Sequence, residues 1–308
     1  MLVSSINSAV WGVPLLVAFT GTGLLLSVRS GFFQITHVGT WMKTTLGSIF
    51  SKKSRESGKG SISQTQALSA ALAACMGTGN IVGVAAAIAS GGAGAVFWMV
   101  ISAIIGMMSA CCENILGIKY RYRDENGEWM GGAFVYMERG LGFRHMAKIF
   151  CVLLVIASLG IGNMTQANAA ALSLSGSFGL SPAITGLILA AGVFAITCGG
   201  LKRIASAAEK IIPAMTAIFI LASFAVIIKN FRAVPSAFSR IISEAFSLRA
   251  AAGGAAGYGI KKALRYGVAR GVFSNEAGLG RRPRRIHPPS RAAGAYLRFF
   301  STRSSCAP

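Results

Sequence analysis

The sequence predicts an all-α membrane protein that crosses the bilayer several times. The chain has 308 residues, of which 53% are hydrophobic and 13% charged, whereas about 25% charged residues is usual in a soluble domain. Four stretches contain no Lys, Arg, Asp or Glu: 1–28, 60–112, 149–201 and 211–228. Since a membrane-spanning helix needs about 20 mostly apolar residues, each of the two longest stretches can hold two helices.

The predicted spans follow from these stretches and from the turn residues that separate them. Six spans and a seventh helical segment are predicted, in order: 10–28, 66–89, 96–118, 147–174, 183–199, 210–228 and 256–274. The run Gly91-Gly92-Ala93-Gly94 separates the second span from the third. Pro182 lies near the start of the fifth span, where proline is favoured in a helix.

The distribution of Lys and Arg predicts the orientation in the membrane. Basic residues occur after the first, third and fifth spans, whereas 90–95 and 175–182 have none. This alternation places the basic connections in the cytoplasm and the N-terminus outside. One connection disagrees, because Lys229, Arg232, Arg240 and Arg249 fall on the predicted outer side. The net charge of +21 therefore reflects membrane topology and predicts no nucleic-acid partner.

The stretch Cys75-Met76-Gly77-Thr78-Gly79-Asn80-Ile81 places two glycines in the middle of an apolar run. Each glycine costs about 1 kcal/mol in a helix interior, so the pattern indicates a break in the helix. Broken helices in transporters expose carbonyl groups that bind Na⁺ and a helix N-terminus that binds a carboxylate. Thr78 and Asn80 add oxygen atoms that suit a hard cation. Close packing of small residues against another helix is the alternative.

Two further segments carry polar residues at predicted membrane depth. Gly162–Ala170 reads GNMTQANAA and contains Gln166 and Asn168, which either face a substrate or form hydrogen bonds between helices. Tyr266–Gly280 reads YGVARGVFSNEAGLG and combines polar residues with glycines. A second broken segment, in a position that corresponds to the first, indicates a transporter site. A polar surface loop is the alternative for this segment.

Taken together, these motifs resemble the sodium:alanine symporters, also called the alanine or glycine:cation symporter family. The resemblance is carried by GTGNIVGVA, GGAGAVFWM, GNMTQAN, GLKRIASAAEKIIP and GVARGVFSNEAGLG, and runs in order from Trp11 to Gly280. It implies a sodium-coupled symporter that imports alanine, glycine or a similar small neutral amino acid, with Na⁺ or H⁺ as the transported cation and no other cofactor. It also implies a location in the bacterial plasma (inner) membrane.

The resemblance implies a fold of two inverted five-helix repeats preceded by one extra helix. Accordingly, we divide the chain into the extra helix (1–28), a basic cytoplasmic connection (29–64), the first repeat (65–230), an outer loop with the first, broken helix of the second repeat (231–280) and a basic tail (281–308). The implied substrate-binding residues are Thr78, Gly79, Gln166, Ser274 and Asn275. The implied ion-binding residues are Gly77, Asn80 and Glu276.

The segment after Gly280 departs from the family pattern. It has seven Arg in 28 residues, and each Arg costs about 2.5–3.5 kcal/mol at the centre of a membrane helix. We therefore expect a chain that is truncated or frameshifted after Gly280, lacks most of the second repeat and is inactive in transport by itself.

Two other classes of function compete with a symporter. A membrane-embedded enzyme needs a nucleophile and a base, or paired carboxylates, at membrane depth. The three His residues, His37, His145 and His287, lie in connections or in the tail, and no pair of Cys has metal-ligand spacing. The sequence therefore predicts no enzyme and no bound metal. A passive channel differs from a symporter in lacking coupling to a Na⁺ gradient.

Overall fold

The computed structural model describes residues 12–40, 42, 77–125, 127, 129–246 and 256–275. Its helices, numbered in chain order, are α1 (Val13–Arg29), α2 (Phe33–Thr36), α3 (Thr78–Gly91), α4 (Gly94–Lys119), α5 (Ala133–Arg139), α6 (Arg144–Leu159), α7 (Thr165–Phe178), α8 (Pro182–Thr197), α9 (Gly200–Lys229), α10 (Val234–Phe246) and α11 (Ala256–Asn275). Strands β1 (Tyr122–Arg123) and β2 (Trp129–Met130) lie between α4 and α5. A π-helical turn, Gly160–Met164, joins α6 to α7, and a 3-10 turn, Phe231–Ala233, precedes α10.

The chain divides into two compact units, which are described separately. Unit 1 comprises Met1–Val38, Gly79–Cys112 and Ala217–Leu279, and unit 2 comprises Gly39–Thr78, Glu113–Thr216 and Gly280–Pro308. Parts of several predictions lie outside the described residues: the first half of the second span (66–76), most of the basic connection, and everything from Glu276 onward.

Three of the predicted spans agree closely with observed helices. The spans predicted at 96–118, 183–199 and 256–274 are observed as α4, α8 and α11. The prediction of a start at 210 for the sixth span is wrong, because α9 begins ten residues earlier, at Gly200. Charged residues mark the end of an apolar stretch, but they do not end a helix that continues into a polar environment.

Two of the described helices are long and apolar enough to cross a membrane, α4 and the 203–229 part of α9. Shorter apolar helices cover 14–29, 79–91 and 182–197. Only 6% of the most apolar part of α9 is buried. A helix that is apolar on all sides and exposed on all sides is suited to contact with lipid, and this supports a location in the membrane.

In unit 1, α11 packs closely on α1 and α4. Leu16 of α1 and Val268 and Val272 of α11 form a buried cluster, with Trp98 of α4 packed against it. A Cβ added at Gly267 would lie 2.5 Å from a backbone oxygen of α4. The missing side chain at this position therefore permits the close approach of the two helices, because a methyl group there would overlap the backbone of α4.

Helix α10 was missed by the sequence prediction, which treated its residues as part of an outer loop. Glu244 accepts a hydrogen bond at 2.7 Å from the backbone N–H of Ala93, in the turn between α3 and α4. Nearby, the indole N–H of Trp98 donates to the carbonyl of Ala245 at 3.4 Å, and Phe246 packs edge-on against Phe97. Helix α10 and the α3–α4 turn therefore lie at the same end of unit 1.

The contact between Ala93 and Glu244 concerns the connection after the sixth span, whose basic residues disagree with the predicted topology. Four predicted spans, the third to the sixth, separate the α3–α4 turn from α10, so an alternating topology places both on the same side of the membrane. The contact between Ala93 and Glu244 agrees with that placement. In addition, the guanidinium of Arg240, one of the four dissenting residues, forms an ion pair with Glu244 at 3.2 Å.

Unit 2 contains a short β-hairpin, which departs from the all-α prediction. Tyr122 pairs with Met130 and Arg123 with Trp129. The turn predicted at Glu125-Asn126-Gly127 is confirmed at Gly127, which has a φ of +73° and donates to the carbonyl of Asp124. The guanidinium of Arg121 lies 4.3 Å from the centre of the Trp129 ring. Such a cation–π contact stabilises a hairpin that is too short to be stable by itself.

The fourth predicted span, 147–174, is observed as two helices with a π-helical turn between them. Helix α6 ends at Leu159, the turn covers Gly160–Met164, and α7 begins at Thr165. The side-chain amide of Asn163 donates to the carbonyl of Ser158 at 3.2 Å. Turns of this kind are frequent at functional sites, and here the turn ends two residues before Gln166.

Candidate functional site

Helix α3 begins inside an uncharged stretch of the chain. Gly77 lies in a bend, and the helix starts at Thr78 and continues to Gly91. The first N–H groups of a helix have no acceptor within it, and they carry the positive end of the helix dipole. A helix N-terminus therefore lies at the position where the sequence indicated a break.

Gly79 makes a contact that the sequence did not predict. It was expected to interrupt the helix together with Gly77, but it is the second residue of α3. A Cβ added at Gly79 would lie 2.7 Å from a guanidinium nitrogen of Arg270. The glycine at this position therefore makes room for a side chain from another helix.

Gln166 lies close to the residue that precedes α3. Its amide nitrogen is 3.6 Å from the position that a Cβ on Gly77 would occupy. The hydroxyl of Thr165 donates to the amide oxygen of Gln166 at 2.5 Å. This bond orients the amide so that its N–H₂ group is directed towards Gly77. The structure thus brings together two of the predicted site residues, Gly77 and Gln166, within unit 2.

Arg270 was not singled out by the sequence analysis, although it lies in one of the quoted motifs. Its Nε–H donates to the carbonyl oxygen of Gly79 at 3.0 Å, across 191 residues of sequence. The planar guanidinium also lies over Gly83, where an added Cβ would overlap it. The available signal was an arginine inside a segment predicted to cross the membrane, which is by itself a reason to expect a functional role.

The predicted residues of the second broken segment lie at the end of α11. Ser274 and Asn275 are its last two residues, and Glu276 lies outside the described part of the chain. The helix is continuous through Gly267 and Gly271, so these glycines do not break it. They pack against α4 instead: a Cβ at Gly271 would lie 3.0 Å from the carbonyl oxygen of Met99.

Glu113 is an acidic residue of unit 2 near the C-terminal end of α4, which is predicted to be cytoplasmic. Burial raises the pKa of Tyr136 in α5, and the negative charge of Glu113 raises it further. A phenol in this environment stays protonated at neutral pH and is able to donate a hydrogen bond. Among the described residues, no group of three His, Cys, Asp or Glu side chains is arranged to hold a metal ion.

The sequence of this chain matches a model of the sodium:alanine symporter family over residues 1–291. This chain belongs to the sodium:alanine symporter family. The match takes in all of the helices described above and continues eleven residues past Gly280. Proteins of this family are transporters and not enzymes, which confirms the prediction that the chain is not an enzyme.

Individual relatives support the assignment. The chain is 44% identical over 283 residues to an uncharacterised transporter of Haemophilus influenzae. It is 43% identical over 286 residues to the sodium/alanine symporter AgcS of Methanococcus maripaludis. It is also 39% identical over 282 residues to a probable sodium/glutamine symporter, GlnT, of Bacillus subtilis. Each alignment covers 92% of this chain, but only 61%, 61% and 57% of the respective relative.

Proposed function

We propose that this sodium:alanine symporter family chain serves in Na⁺-coupled import of alanine, glycine or a similar small neutral amino acid across the bacterial plasma membrane. One observation carries the proposal: α3 begins at Thr78, inside an uncharged stretch, and the amide of Gln166 is directed towards the residue before it. A helix N-terminus attracts an anionic group, and a neutral amide binds a polar group without adding charge.

The proposed roles follow from these features. The N–H groups of Thr78 and Gly79 bind the carboxylate of the amino acid, and Gln166 binds the same substrate through its amide. Carbonyl and side-chain oxygens at Gly77 and Asn80 bind Na⁺, because a hard cation prefers oxygen ligands. No charged side chain is needed for a zwitterionic substrate, whose charges are met by peptide groups.

Ser274, Asn275 and Glu276 are proposed to act at the end of α11 in the same way. Ser274 and Asn275 bind substrate and Glu276 binds the ion, as the family resemblance implies. Helix α11 is continuous up to Asn275, so the glycines before this residue do not interrupt it. In this arrangement α3 opens the first inverted repeat, α11 opens the second, and α1 is the extra helix.

The proposed orientation places the N-terminus outside and α10 on the outer surface. The contact between Glu244 and Ala93 supports it indirectly, because it puts α10 on the same side as a turn without basic residues. Lipid surrounds the exposed apolar helices, of which α9 is the clearest case.

Binding to the purified chain tests the site. Radiolabelled alanine is expected to bind in NaCl and to bind much more weakly in choline chloride. Gln166→Ala and Asn80→Ala are expected to raise the dissociation constant about tenfold, since the first removes a hydrogen bond to the substrate and the second removes an oxygen ligand of Na⁺. Asn168→Ala is the matched control, because Asn168 is an exposed amide two residues further along α7. Equal loss of affinity in all three variants would contradict the assignment.

Uptake tests the coupling. Residues 1–280 are joined to the C-terminal part of the Methanococcus maripaludis relative and reconstituted into liposomes. An inward Na⁺ gradient is expected to drive accumulation of alanine. The same measurement with an inward H⁺ gradient shows whether H⁺ can replace Na⁺ as the coupled cation. Uptake that equilibrates without regard to either gradient would indicate a passive channel. Competition by glycine, serine and glutamine defines the substrate, since one relative is named for glutamine.

A further inference from the structure

Helix α10 has one apolar face and one polar face. Its apolar residues Val234, Phe238, Ile242 and Phe246 recur every four positions, and this spacing places them on the same side of an α-helix. Serines and charged residues occupy the opposite side. A helix with this pattern usually packs its apolar face on a protein core. In α10 the face is open instead, because Phe238 is 62% exposed and Ile242 is 55% exposed.

Helix α10 is attached to the rest of unit 1 at its C-terminal end. The carboxylate of Glu244 accepts the N–H of Ala93, Ala245 is fully buried, and Phe246 packs against Phe97. These contacts hold the last turn of α10 against the turn between α3 and α4. They leave the apolar side chains in the middle of the helix exposed, so the attachment does not account for the apolar face.

The exposed apolar surface of α10 continues one that begins on α9. The last turns of α9 carry exposed apolar side chains, among them Phe224 and Ile228. Only Asn230 and the 3-10 turn Phe231–Ala233 separate the two helices, and Phe231 in this turn is also exposed. Because α9 is long and apolar enough to cross the membrane, α10 starts close to the membrane surface. Its apolar face therefore extends the surface that α9 presents to lipid.

The charges in and beside α10 are mostly basic. Lys229, Arg232 and Arg240 are exposed, and the one acidic residue of 229–246 is Glu244, which forms an ion pair with Arg240. Anionic lipid headgroups attract Lys and Arg at a bilayer surface. Helices that lie on membranes combine basic residues on the polar side with Phe or Leu on the apolar side. The open apolar face and the basic charge therefore indicate the same occupant.

We propose that α10 is an interfacial helix that binds anionic phospholipid. Phe238 and Ile242 enter the boundary between headgroups and acyl chains, and Lys229 and Arg232 bind headgroup phosphates. Glu244 holds the helix against unit 1 through the α3–α4 turn. The inference depends on a location in the membrane, and it depends neither on the transported substrate nor on the orientation of the chain. It gives the basic residues that disagree with the predicted topology a function in lipid binding.

Fluorescence quenching tests the apolar face. In a cysteine-free background, Phe238→Cys and Ser243→Cys are each labelled with an environment-sensitive dye and reconstituted into nanodiscs of phosphatidylcholine and phosphatidylglycerol. Lipid that carries a nitroxide near its headgroup should quench the label at 238 at least about twofold more strongly than the label at 243, which lies on the polar face. Equal quenching at the two positions, or no quenching at either, would overturn the proposal.

Native mass spectrometry of the purified chain tests the basic residues. Phosphatidylglycerol and phosphatidylcholine are titrated separately, and their dissociation constants are compared. Replacing Lys229 and Arg232 by Gln should weaken phosphatidylglycerol binding roughly 20-fold, about fivefold for each charge, and leave phosphatidylcholine binding unchanged. Lys229→Arg combined with Arg232→Lys is the matched control, because it keeps both charges and should bind both lipids as the unmodified chain does. No loss in the Gln variant, or an equal loss in the control, would reject the binding of phosphate by these residues.

The two measurements do not depend on each other. The quenching experiment compares labelled chains that keep their basic residues, and the titration needs no label. A dimer in light scattering, together with a label at 238 that lipid does not quench, would assign the apolar face to a second copy of the chain and overturn the proposal. A chain that fails to bind alanine would contradict the proposed function but not this inference, because neither measurement involves the transported substrate.

Discussion

Replacing Glu244 by alanine should release α10 from the turn between α3 and α4. The carboxylate accepts the Ala93 N–H at 2.7 Å and is about a third exposed. A hydrogen bond to a charged group contributes about 1.5–3 kcal/mol, and partial exposure favours the lower half of that range. The exposed ion pair with Arg240 adds about 0.3–0.5 kcal/mol. The expected loss is therefore about 2 kcal/mol.

Hydrogen exchange measured by mass spectrometry reports this loss locally. A decrease of about 2 kcal/mol in the free energy of opening corresponds to exchange about 30-fold faster, at 1.4 kcal/mol per factor of ten. The increase is expected in peptides from 234–246 and not in those from α8. Arg240→Ala removes only the ion pair and should accelerate exchange about twofold. Equal exchange rates in Glu244→Ala and Arg240→Ala would refute the reasoning, because the bond to Ala93 would then contribute nothing.

Three other predictions concern packing, ionisation and orientation. Gly23→Ala should lower the unfolding temperature in detergent, since its Cβ would lie 2.6 Å from a side chain of α4, whereas Gly21→Ala, with open space, should leave it unchanged or raise it. Because the pKa of Tyr136 is raised in the folded chain, the stability that its neutral phenol provides should persist below pH 10 and decline above it. Tyr136→Phe should therefore flatten the alkaline part of the curve of unfolding free energy against pH. An unchanged curve would contradict the raised pKa. In a cysteine-free background, an impermeant maleimide added to intact cells should label Arg232→Cys but not Lys148→Cys, and the opposite pattern would reverse the orientation.

The helices that cross the membrane could be predicted because hydropathy is a property of consecutive residues. The predicted span 96–118 lies within two residues of α4 at either end. Helix α10 could not be predicted from hydropathy because it contains no long apolar stretch. Its apolar residues Val234, Phe238, Ile242 and Phe246 recur every four positions, which is the pattern of an amphipathic helix.

The start of α3 was predicted from glycine, but the roles of individual glycines were not. Gly77 lies in the bend before the helix, whereas Gly79 and Gly83 lie within the helix and accommodate Arg270. Glycine permits both an unusual backbone and a close approach, and the sequence does not distinguish the two. The difference depends on which side chain faces the glycine.

The sequence by itself determined that this chain is helical, apolar and a member of a transporter family, because composition and motifs are read along the chain. Only the tertiary structure decided that Arg270 meets Gly79 and that Glu244 meets Ala93, across 191 and 151 residues. Such pairs form when whole helices pack, and the energy that selects them comes from many contacts at once. No local pattern in the chain records which two segments will become neighbours.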